Sequence, residues 1–222
     1  MTENLTQETY DTILDALDNE DINTLNELFI NNHLTPDTEL FDAPRIDDNE
    51  QLLITYMDYV LAHDLRTILD YLIDDIGIEI TDTILARCLE LDNHGIYHYL
   101  LDLGYIPQAE TLKYAIKNSL PDIVVNILEL DNELITEITE DDIEYLFSFD
   151  IDENTVETIR VLFNYNIEPF LFSKFITALK APNDEYIIIS EDEQDFVIEI
   201  IDFLESNNVV DTLAKPDTRS EQ

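Results

Sequence analysis

Residues Thr111–Asp131, TLKYAIKNSLPDIVVNILELD, read as two short helices joined by a tight turn. In the first half Leu112, Ala115 and Ile116 fall at helical spacing. In the second, Ile123, Val124, Ile127 and Leu128 do the same. Offsets of three and four place each set on one stripe of a helix, and the two stripes face each other.

The second half recurs along the chain. NTLNELFINN, RTILDYLIDD, GIYHYLLDLG, DIVVNILELD and ETIRVLFNYN begin at Asn23, Arg66, Gly95, Asp122 and Glu157. Their second residue is Thr or Ile, their third is apolar, and their sixth and seventh are apolar pairs. The tenth reads Asn32, Asp75, Gly104, Asp131 and Asn166, residue types that tolerate the left-handed conformation of a helix C-cap. EIIDFLESNN, from Glu199 to Asn208, is a looser sixth copy. A first helix precedes each copy, marked by Ile13-Ala16-Leu17, Tyr56-Tyr59-Val60, Leu85-Cys88-Leu89 and Leu112-Ala115-Ile116 at constant offsets. Before Glu157 and Glu199 it is displaced, to about Asp142–Phe149 and Phe172–Leu179. One such hairpin cannot bury its own apolar face, whereas a stack of them can. Leu28, Leu72, Leu101, Leu128 and Leu162 are the expected core between neighbours.

The unit resembles the ankyrin repeat, in which a first helix with small residues leads into an "xIVxxLLxxGA"-like second helix. Thr111–Asp131 and HGIYHYLLDLG, ending at Gly104, carry the likeness best. The Thr-Pro-Leu-His opening of typical repeats is absent, and two anchor spacings fall short of the family's usual length, so β-hairpin fingers are expected to be trimmed or missing. The composition, rich in Ile, Asn, Asp and Tyr, is similar to that of degenerate ankyrin proteins encoded by large DNA viruses. The resemblance implies an all-α helical-hairpin solenoid over 1–211, with insertions near 38–51 and 181–195 and a disordered tail at 212–222. It also implies a recognition protein rather than an enzyme.

Charge dominates the surface. Fifty-one Asp and Glu face ten Lys and Arg in 222 residues, a formal charge of -41. Disorder does not follow, because 45% of the chain is apolar and it holds 11 Tyr and 10 Phe. No Lys or Arg precedes Arg45, and none lies between Lys117 and Arg160 or between Lys180 and Lys215. Most carboxylates therefore lack a nearby cation, and crowding is expected to raise their pKa values. Such a surface repels nucleic acid and anionic membrane and attracts a basic partner. No apolar run is long enough to cross a membrane, and the N-terminus MTENLTQETYD lacks the basic and apolar regions of a secretory signal. With Cys88 alone, no internal disulfide forms, and an intracellular location is expected.

Chemistry finds little footing. Asp150, Asp152 and Asn154 match the start of a calcium loop, but Thr155 stands where Gly is needed and Val161 where Glu is needed. His94 and His98 share a helix face without the companion ligands of a metal site. No phosphate loop or nucleophile motif occurs, so no cofactor, metal or catalytic residue is expected. The expectation is a binding protein that docks a basic protein, in its sharpest form a nucleic-acid mimic that inhibits a nucleic-acid-binding protein. The carboxylates assigned to this contact are Asp141, Asp142, Glu144, Asp150, Asp152, Glu153, Glu191, Asp192 and Glu193. The alternative is an ordinary ankyrin-type adaptor with an apolar concave face.

Overall fold

The computed structural model describes residues 6–31, 33–42, 52–148, 151–180, 190 and 193–209. Twelve α-helices account for most of them, in agreement with an all-α chain. The chain forms two compact units, 1–105 and 106–222.

The first unit holds α1 (Gln7–Asp18), α2 (Ile22–Ile30), α3 (Tyr56–Ala62), α4 (Arg66–Tyr71), α5 (Asp82–Glu90) and α6 (His94–Asp102). They pair as three hairpins, α1 with α2, α3 with α4 and α5 with α6, and α3 packs on α5. Between the first two hairpins lies an antiparallel ribbon. In it β1 (Glu39–Asp42) pairs with β2 (Leu52–Thr55), Glu39 opposite Thr55. The expectation of trimmed or missing fingers rests on two short spacings, and this short ribbon stands at another. The longest anchor spacing, Asn23 to Arg66, leaves room for one.

The second unit holds α7 (Ala109–Lys117), α8 (Pro121–Leu130), α9 (Glu140–Leu146), α10 (Glu153–Asn164), α11 (Ser173–Lys180) and α12 (Gln194–Ser206). Hairpin partners pack together in α7/α8 and α11/α12. Like helices of successive hairpins also meet: α7 on α9, α8 on α10, and α10 on α12.

The third slot of the repeat is the core in every copy from Asn23 to Glu157. Leu25, Ile68, Tyr97, Val124 and Ile159 are all buried. Of the five leucines expected there, Leu72, Leu128 and Leu162 are buried, while Leu28 and Leu101 are half-buried. Leu28 and Leu101 fill the sixth and seventh slots, which turn toward the edge of the apolar stripe in their helices. Cys88 packs in the core, and burial pushes its thiol up to about 12, the inert state of a structural cysteine.

The tenth slot meets its expectation in part. Gly104, Asn166 and Asn208 have positive φ and end their helices in Schellman-type turns, with Tyr105, Ile167 and Val209 N–H donating back to Leu100, Leu162 and Leu204. Asp75 does not, because α4 runs on into a π-helical turn, Leu72–Ile76, and the left-handed residue becomes Gly77. Asp131 is extended and opens a 3-10 turn, Asn132–Glu137, instead. Asn32 and the 212–222 tail lie outside the described residues, as does 181–189 of the second insertion.

A second punctuation went unread in the sequence. Glu20, Asp64, Asp92 and Ser119 each adopt positive φ, from 49° to 56°, just before the N-cap of the second helix. The same reversed hydrogen bond follows in all four: Asp21, Leu65, Asn93 and Leu120 donate to Ala16, Val60, Cys88 and Ala115.

Candidate functional site

Cations decide which carboxylates face solvent unneutralised. Each Lys and Arg among the described residues lies beside a carboxylate, and most of these pairs join successive hairpins. Arg87 of α5 grips Asp58 of α3 with Nε at 2.8 Å and Nη2 at 3.0 Å. Lys113 and Lys117 of α7 converge on Asp142 of α9 at 3.7 and 3.8 Å. Lys174 of α11 reaches Glu144 of α9 at 3.2 Å, and Arg160 of α10 reaches Glu199 of α12. Arg66 pairs locally with Asp64, and Lys180 pairs with Glu205 inside its hairpin. Hydrogen bonds from uncharged donors run the same way: Tyr71 donates to Asn26, Tyr99 to the Asp70 carboxylate, and the Asn93 amide to the Leu61 carbonyl.

One acid assigned to a partner is buried in the fold, and others are engaged at the surface. Asp142 is 5% exposed. Its Oδ2 accepts from the Thr139 hydroxyl at 2.7 Å and the Thr139 N–H at 3.0 Å, closing a capping box beneath the two lysines. Contrary to its assignment, Asp142 is no contact residue, since a buried carboxylate with these partners offers nothing to an incoming surface. Glu144 stays exposed, paired at the surface with Lys174. Asp152 caps α10, accepting from Thr155 N–H at 2.9 Å, which also gives it a role apart from the failed calcium loop.

Glu193 is a clasp. Its Oε1 accepts from Ile151 N–H at 2.7 Å and its Oε2 from Ser190 N–H at 2.6 Å, so the start of α10's approach is tied to the start of α12. Asp141 and Glu153 stand exposed as expected. Asp150, Glu191 and Asp192 lie outside the described residues.

Crowding does not raise the carboxylates whose pKa moves. The Ser190 side chain, then the backbone N–H groups of Ile151 and Ser190, holds Glu193 below the usual range. The Thr24 hydroxyl and N–H do the same for Asp21, the N-cap of α2. Burial pushes Asp58 up, but the Arg87 hydrogen bonds and charge together with Thr55 outweigh it, and the carboxyl ends low.

Exposed acids of the second unit lie on both kinds of helix, with Glu110 on α7 and Glu140, Asp141 and Glu144 on α9, and the lysines concentrate on first helices. First helices α7 and α11 hold Lys113, Lys117, Lys174 and Lys180. Second helices α8, α10 and α12 expose Asp122 and Glu129, Glu153 and Glu157, and Asp195, Glu199, Asp202 and Glu205, against the single cation Arg160. Of this set only Glu153 is among the carboxylates assigned from sequence, because runs of consecutive acids do not mark the others. The helical period was the available signal: α12 buries Val197, Ile200 and Leu204, so the acids fall on its opposite side.

Among the described residues no group of His, Cys, Asp or Glu is arranged to hold a metal ion, and no helix is long and apolar enough to cross a membrane. Comparison with protein-family models, with curated proteins and with solved structures finds no match to this chain.

Proposed function

We propose that this chain is a non-catalytic, intracellular binding protein of ankyrin-like helical hairpins that docks a basic partner through its acidic second-helix surface. In its sharpest form it mimics nucleic acid and occupies the basic groove of a nucleic-acid-binding protein. One observation carries the reading: the described Lys and Arg are engaged in bridges within the fold, which leaves the remaining exposed carboxylates, the second-helix set together with Glu140 and Asp141 of α9, to impose the field that a partner meets. Like-on-like packing of successive helices, with a β-ribbon between the first two hairpins, supports the ankyrin-like architecture.

The test is recovery of partners from lysate across a salt series, followed by competition with duplex DNA or RNA. Binding should weaken about a hundredfold or more between roughly 0.05 and 0.5 M salt, and nucleic acid should displace the partner. A second reading, the apolar adaptor, draws on Tyr145 of α9, which is half exposed on the first-helix side with Lys117 Nζ 4.3 Å from its ring centroid. Binding that persists at high salt, ignores nucleic acid and is lost in Tyr145→Ala would establish that reading and overturn the first.

A further inference from the structure

We infer that the outward face of α12 is a docking surface for a cationic amphipathic helix of a partner protein, an inference that rests on the basic-partner reading above and gives it a place. Asp195, Ile198, Glu199 and Asp202 follow one another at i, i+3, i+4 and i+7 and are all exposed, a strip about 10 Å long. Ile198 sits inside this strip with 57% of its surface in water, while the packing residues Val197, Ile200 and Leu204 lie on the other side of the helix.

Two observations taken together mark this face; α1 shares the first, with Glu8, Asp11, Asp15 and Asp18 exposed along it, but not the second. Asp195 in the first turn suits the dipole of α12, but the spacing of its acids and the charge at its other end do not. Asp195 and Glu199, then Glu199 and Asp202, are like charges at i,i+4 and i,i+3, which destabilise a helix. Glu205 stands in the last turn, where the helix dipole disfavours an anion, and that turn holds no basic residue. Arg160 and Lys180 offset Glu199 and Glu205, but Asp195 and Asp202 have no cation beside them among the described residues. A cationic occupant relieves the repulsion that Arg160 and Lys180 leave, at Asp195 and Asp202. The second observation is Ile198. A surface that only copies phosphates has no use for a bare branched side chain among its acids. An apolar anchor ringed by charge is what a helix with a leucine stripe and flanking lysines fits, through the same i, i+3, i+4, i+7 spacing.

The experiment uses the full chain and two fluorescein-labelled peptides of about 18 Leu and Lys residues, long enough to form a helix. One sets its leucines on a single helical stripe. The other is a scramble of identical charge and composition. Fluorescence anisotropy should show the striped peptide binding at least tenfold more tightly. Ile198→Ser and the pair Asp195→Asn/Asp202→Asn should each remove roughly tenfold of that affinity, and Asp122→Asn on α8 should not. All are surface positions, so folding is preserved. Amide chemical shifts on titration should change within 194–206. Equal affinity for both peptides, or an unaltered Ile198→Ser, overturns the α12 surface and leaves the basic-partner reading standing if binding is steeply salt-dependent. Failure of both peptides to bind overturns the two together.

Discussion

Asp58 shows how one carboxylate in an over-acidic chain becomes indispensable. It closes the capping box of α3 with Thr55 and receives two Arg87 hydrogen bonds from the next hairpin. Asp58→Asn removes the charge while keeping the shape, and should lower stability at pH 7 by about 1.5–3 kcal/mol, measured by urea unfolding. A depressed folded pKa means that this contribution is complete above the ordinary value of 3.8 and is lost as pH falls through the lower folded value. Wild type and variant should therefore converge in acid, and a gap that stays constant to pH 2 would remove Arg87 as its cause. Nothing in the order of residues set Asp58 apart from its neighbours. Its partner lies 29 residues on, in the equivalent position of the following hairpin, so the pair was visible only once the repeat was laid in register.

The helical element was the most legible level, because hydrophobic slots recur at fixed offsets and the third slot is buried in all five main copies. Slot and burial make a graded prediction. Leu100→Ala and Leu128→Ala remove fully buried side chains and should each cost about 2–5 kcal/mol, whereas Leu101→Ala, half-buried, should cost clearly less. Urea midpoints for the three variants check the order, and Leu101→Ala equal to Leu100→Ala would shift the register by one. Where boundaries were misread, a local backbone choice had overridden the pattern. In α4 the ladder widens to a π turn and carries the cap two residues past Asp75 to Gly77. After α8 the chain turns extended at Asp131. The ribbon β1–β2 was also illegible, since its arms flank a stretch whose composition reads as insertion.

For the whole molecule, a formal charge of -41 makes screening a stabilising force. Urea midpoints should rise between roughly 0.02 and 0.5 M sodium chloride, while the hairpin-to-hairpin ion pairs weaken. A midpoint that falls instead would mean that the bridges outweigh the repulsion. The candidate surface was half legible: excess and sign came from composition, but which acids are engaged in capping, clasping or pairing depended on side chains distant in the chain. The turns between helices hold a further consequence. Glu20, Asp64, Asp92 and Ser119 occupy a backbone region that costs a side chain about 1 kcal/mol or more, and glycine would relieve it. Three of the four would shed a negative charge in the same step. The chain thus stands some way below the best sequence for its own backbone, and its lineage or a designer can raise its melting point at the corners alone, gaining tolerance for bolder changes on the faces that meet a partner.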